Sequence, residues 1–93
     1  MREKYVEKKL VEAVRKRGGI CPKWVSPGMN GVPDRIVLLP DGTVGFVELK
    51  APGKKARPVQ LSVLALISHL GYQVFVLDDV SRIEEVLDAI QTP

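Results

Sequence analysis

Asp34, Glu48 and Lys50 are the residues of this chain whose types and spacing could do chemistry together. Two carboxylates and an ammonium on one surface suffice for metal-assisted hydrolysis of a phosphodiester. The acids repel each other unless a divalent cation lies between them. Carboxylate oxygens suit Mg²⁺, which keeps several waters and shares phosphate oxygens with a substrate. Lys50, two residues beyond Glu48, reaches the same place. It could orient a water, stabilise charge developing on phosphorus, or act as base if its pKa falls. Glu48-Leu49-Lys50 alone is a common surface triplet. Its setting is not, because Phe46, Val47 and Leu49 make the segment apolar, and charges at the end of such a segment need a reason.

Two strands must position these groups, Pro33 to Leu39 and Thr43 to Lys50, joined by Pro40-Asp41-Gly42. The tripeptide suits a three-residue hairpin loop, with Pro fixing the first φ, Asp tolerating the second position and Gly taking a left-handed third. That loop pairs Leu39 with Thr43 and sets Asp34 opposite Glu48. Period-two alternation then puts Asp34, Glu48 and Lys50 on one face. A two-residue loop would separate the acids.

Around the hairpin the spacing predicts a helix over 3–17, with Val6, Leu10, Val11 and Val14 recurring and Gly18-Gly19 stopping it. A short strand is expected at 20–25 and a loop at 26–31. A basic loop covers 51–57. A helix runs from Pro58 to Leu70, with Leu61, Leu64 and Ile67 on its buried face. Tyr72 to Leu77 reads as a buried strand. A last helix starts at Ser81, in capping-box spacing with Glu84, and buries Ile83, Val86, Leu87 and Ile90. The order αβββαβα makes one small α/β domain, a mixed sheet between helices, over residues 1–93.

Charge is divided along the chain. Residues 1–57 hold 13 Lys/Arg against 6 Asp/Glu, and residues 58–93 hold 1 against 5. A basic front points to a polyanionic partner, although an uneven solvated surface would read the same way. Apolar residues form 45% of the chain, yet no run approaches the ~20 residues of a membrane span. The N-terminus has no secretory character. Cys21, the single cysteine, excludes an intrachain disulfide and lacks ligand-spaced neighbours for zinc. A cytoplasmic protein is expected, with no membrane and no small-molecule cofactor.

Gly31-Val32-Pro33-Asp34, then Glu48-Leu49-Lys50-Ala51-Pro52-Gly53, then Gln60 resembles the VRR-NUC domain, the virus-type replication-repair branch of the PD-(D/E)xK nucleases. The resemblance runs from Glu7 to about Leu77 and is to the standalone form found in phages and prophages. It implies a restriction-endonuclease-like fold and a Mg²⁺-dependent DNA endonuclease, with Mn²⁺ able to substitute. It also implies branched DNA such as four-way junctions as substrate, a homodimer, and the host cytoplasm as location. Asp34, Glu48 and the Leu49 carbonyl would bind metal, and Lys50 would be the catalytic lysine. Gln60 would hold the lysine or a water. Glu7 would complete the acidic cluster, touching the metal directly or through water. From the residues alone, Glu7 is equally a boundary acid serving a helix N-terminus, and Gln60 a polar residue at a helix start. Lys54, Lys55 and Arg57, and with them Lys23 and Arg35, stand where phosphates would pass, or simply solubilise. Trp24 reads as a half-buried core residue, and His69 lies far from the acids. A less selective nickase or end-processing nuclease, or a non-catalytic DNA-binding module, would share the same sequence features.

Overall fold

The computed structural model describes residues 2–93. Helix α1 (Glu3–Lys16) buries Val6, Leu10 and Val14 on one stripe and is stopped at Gly18. Strands β1 (Arg35–Leu39) and β2 (Thr43–Leu49) form an antiparallel hairpin with Leu39 paired to Thr43. That is the register the Pro-Asp-Gly loop requires. Both Asp41 (φ 70°) and Gly42 (φ 79°) are left-handed there, where a left-handed conformation was expected only of the glycine. Helix α2 (Pro58–His69) carries the chain over to β3 (Gln73–Leu77), which lies parallel to β2 at the sheet edge. A 3-10 turn at Val80–Arg82 leads into α3 (Ile83–Gln91).

The mixed sheet, ordered β1-β2-β3, separates two unequal layers. On one face Val37, Leu39, Val47, Leu49 and Leu77 pack with the stripes of α1 and α3, forming the main core. α3 approaches so closely that a Cβ on Gly45 would stand 2.5 Å from Ile90. Arg17 ties the two helices together, donating to Glu84, Asp88 and Gln91 at 2.8 Å each. The other face carries α2 and a row of aromatics, Trp24, Phe46 and Tyr72. Trp24 is half-buried there, as expected.

The differences from expectation are local. Residues 20–25 make only two isolated bridges to β1, at Ile20 and Lys23, so the first β of the expected order is vestigial. In α2 the buried stripe is Gln60, Val63, Leu64 and Ile67, and Leu61 is exposed. The i, i+3, i+4, i+7 set that packs begins one residue earlier than Leu61. β3 is half-buried rather than buried, because it is an edge strand. Asp79 caps the 3-10 turn at Val80–Arg82, its carboxylate accepting the Ser81 N–H at 2.9 Å, and α3 itself begins after Arg82 with no side-chain cap, so the expected Ser81 cap does not form. Among the described residues no helix is long and apolar enough to cross a membrane.

Candidate active site

Glu48 is the penultimate residue of β2 and is 1% exposed. It faces the α2 side of the sheet, just before the C-terminal ends of the parallel pair β2 and β3. Open α/β sheets bind ligands at such ends. One carboxylate oxygen, Oε2, accepts the Gln60 Nε2 amide at 2.6 Å and lies 3.2 Å from the Lys50 ammonium. The other, Oε1, is buried with no hydrogen-bond partner. Burial first, and the nearby Asp34 charge second, push the Glu48 carboxyl above its usual range, while Lys50 opposes them. A carboxylate oxygen left alone in the interior is costly and needs a proton or a cation.

Asp34 falls one position past the last ladder pair, Arg35 with Val47. Its backbone bends there, and its Oδ2 accepts the Leu49 N–H at 2.8 Å. That bond fixes Asp34 against the strand that carries Glu48. The loop before it depends on Gly31, which has φ 83° and lies so close to the first turn of α2 that a Cβ would sit 2.9 Å from the Val59 carbonyl oxygen. Any side chain there would meet both backbone strain and a clash. The glycine of the Gly-x-Pro-Asp motif thus lets the Asp34 loop abut the helix that holds Gln60.

Gln60 is a helix-start residue, as one expectation had it, but its amide reaches the Glu48 carboxylate rather than the lysine or a water that the resemblance implied. Its Oε1 accepts the Arg57 N–H at 2.9 Å, capping α2 from the third helical position. With that oxygen engaged, the amide NH₂ must face Glu48. Helix capping and carboxylate orientation are one hydrogen-bonded unit.

Glu7 lies elsewhere. Its Oε2 accepts from Arg35 Nε at 3.0 Å, and Arg35 Nη1 donates to the Cys21 carbonyl at 2.7 Å. The side chains are 25% and 15% exposed, so this is a half-buried clamp holding α1 and residue 21 to β1. Arg35 is therefore structural in this arrangement, not a free cation for phosphates, and Glu7 does not join the Glu48 cluster. The α1 acid whose field reaches Glu48 is Glu3, one turn earlier. It lies on the same helix face as Glu7, and i, i+4 spacing was the signal that could have found it. Lys23, Lys54, Lys55 and Arg57 are exposed and make no ion pair among the described residues, so they are free to meet an anion. His69 is exposed at the end of α2, away from the acids in sequence.

Asp34, Glu48 and Lys50 thus come together as the hairpin register requires. No cluster of three His, Cys, Asp or Glu side chains occurs among the described residues. Two carboxylates with backbone and water oxygens are a donor set for Mg²⁺ rather than for zinc.

The comparisons agree with this geometry. No family model matches the chain. It is 56% identical over 90 residues, 97% of its length and 96% of the relative's, to a protein of Acyrthosiphon pisum secondary endosymbiont phage 1 described as "Putative nuclease p44". Its fold matches a solved VRR-NUC domain with a TM-score of 0.86 and 31% identity, over 92% of this chain and 94% of that one. Fold and site define a small α/β domain with a carboxylate–lysine centre. The chain belongs to the VRR-NUC family of phage nucleases.

Proposed function

We propose that this protein is a metal-dependent DNA endonuclease that hydrolyses phosphodiester bonds in branched DNA, four-way junctions included. The observation that carries the reading is Glu48 Oε1, buried and unpartnered beside Asp34, with Lys50 3.2 Å from the same carboxylate. Asp34, Glu48 and the Leu49 carbonyl would hold Mg²⁺ or Mn²⁺. When bound, the ion lowers the pKa of a water and offsets charge on the phosphate oxygens.

The chain's own residues do the rest. Gln60 fixes the Glu48 carboxylate by one oxygen and leaves the other without a partner in the protein. The Leu49 N–H fixes Asp34. Lys50, a cation held beside the reacting phosphate, counters the negative charge that builds as water oxygen bonds to phosphorus and the P–O bond to the leaving strand breaks. Lys54, Lys55, Arg57 and Lys23 supply backbone attraction without sequence preference. The resemblance to standalone members supports a branched substrate, and such a substrate would call for two sites, hence a homodimer.

The test is cleavage of duplex, flap, splayed-arm and four-way junction DNA with Mg²⁺, with Mn²⁺ and with EDTA. Cleavage should require metal and be fastest on the junction. Asp34→Asn and Glu48→Gln should each lower it at least about a hundredfold while the fold and DNA binding persist. A folded Glu48→Gln protein that cuts normally would sink the metal site. Equal cutting of all four substrates would leave a nickase or end-processing enzyme.

A further inference from the structure

One cation stands apart in the charge pattern. Arg82 is the single Lys or Arg of residues 58–93, a half otherwise acidic. The fold carries it back to the basic half. A cleft of about 380 Å³ is lined by Lys54, Lys55, Asp78 and Arg82, with Ala56, Leu61 and Val76 as its apolar wall. Its residues come from the loop after β2, from α2, from the end of β3 and from the 3-10 turn at Val80–Arg82. The cleft lies immediately beside the catalytic carboxylate, since Val76 is the Cα partner of Glu48 in the parallel ladder. Neighbouring strands are ~4.8 Å apart.

The backbone that carries these cations is fixed, and so is the Arg82 side chain. Lys54 N–H donates to the Ala51 carbonyl at 2.9 Å, closing a turn with Pro52 and left-handed Gly53 at its centre, the chemistry of a type II turn. The basic loop is thereby aimed rather than loose. Arg82 Nη1 donates to the Val76 carbonyl at 3.4 Å and Nε to Glu85 at 3.0 Å, which leaves Nη2 for a ligand. The Glu85 pair is exposed on both sides and competes weakly. Asp78 is the one acid of the lining, against three cations.

We propose that this cleft is a phosphate subsite, holding the phosphodiester next to the scissile one on the cut strand, with Arg82 as its positioning residue. β3 is the sheet edge, so a strand leaving Glu48 in that direction passes over the edge and meets Lys54, Lys55 and Arg82 first. The apolar wall accommodates the sugar. The cleft thereby sets which phosphate reaches Glu48. This rests on the DNA-cleavage reading.

The test is binding in EDTA to junction DNA in which single phosphates flanking the cut are made neutral as methylphosphonates, for the wild type and for Arg82→Ala. One flanking substitution should weaken wild-type binding about tenfold, as expected for a lost charge-assisted contact. Arg82→Ala alone should cost a similar factor and lower the salt slope by about one. Combined, the two should cost no more than either, and Arg82→Lys should restore part of the loss. Multiplied effects, about a hundredfold together, would overturn the subsite. So would an Arg82→Ala protein that binds like the wild type. A coupled cycle in a protein that cleaves no DNA would keep only a phosphate contact at this cleft and sink the nuclease reading instead.

Discussion

The two oxygens of Glu48 have different fates, and the site's chemistry divides between them. Oε2 is engaged within the protein, by Gln60 and Lys50, and Oε1 has no partner there. The group is held above its usual carboxylate range by burial and by Asp34. In the metal-free protein, over the pH interval between the unfolded and the higher folded value, the folded state therefore keeps a proton that the unfolded chain has already released. Stability falls as pH rises from the unfolded value, about 4.3, through the higher folded value, and the loss is complete above it. Glu48→Gln removes this titration. Thermal unfolding in EDTA should show the variant close to the wild type near pH 4 and more stable above pH 7. A variant that is less stable at neutral pH would show that the Lys50 pair outweighs burial. In the proposed mechanism Lys50 acts mainly on charge that appears during reaction. Lys50→Ala should lower turnover about a hundredfold with little change in DNA affinity, whereas Lys54→Ala with Lys55→Ala should weaken binding and flatten its salt dependence. Interchanged effects in cleavage and binding titrations would reverse these roles.

At the scale of elements, α2 is what turns a hairpin end into a site. Its cap and its contact to Glu48 are the same side chain, so helix and carboxylate are coupled through Gln60. Gln60→Ala should cost about 1 kcal/mol of stability from the lost cap and lower metal affinity about 10–100-fold. Calorimetric titration with Mn²⁺ would read the second effect, and unchanged affinity would reduce Gln60 to a cap. The hairpin was legible in the sequence because turn chemistry is local: Pro40-Asp41-Gly42 sets the register, and alternation follows. The carboxylate–lysine grouping came with it. The main core was equally legible, from stripes of period 3.6 in α1 and α3. What was not legible depends on tertiary neighbours. Whether residues 20–25 form a strand or two bridges is decided by how much of β1 they reach. The apolar run of β3 does not reveal its edge position. Glu7 and Glu3 share a helix face, and only the packing of Arg35 between α1 and Cys21 assigns Glu7 to structure. Arg82 lies far from the motifs in sequence, and only the crossover through α2 brings it to them.

For the whole molecule, the unequal layers matter most. The acids of the back half are largely engaged locally, by Arg17, Arg82 and the Ser81 N–H that Asp79 accepts, so the basic front is left to a polyanionic partner. One sheet face is sealed by α1 and α3. The other is covered only in part by α2, and beside it the aromatic row ends in Tyr72, 51% exposed, with Leu38 also exposed. Val59, Leu66 and Leu70 are exposed as well, and at 3.6 residues per turn they form one stripe a quarter-turn from the buried one. A domain of this size gains core by covering such a face with a copy of itself, and a two-fold pair would supply the two active sites that a four-way junction requires. We therefore expect a C₂ homodimer built on this face. Light scattering at micromolar concentration should give twice the chain mass. Leu66→Glu with Leu70→Glu should give a folded monomer that nicks junctions and no longer makes paired cuts. A wild-type monomer fully active on junctions would defeat the idea. A dimer that survives both substitutions would move the interface elsewhere, and unpaired nicking by an intact dimer would mean that its two sites do not face one junction.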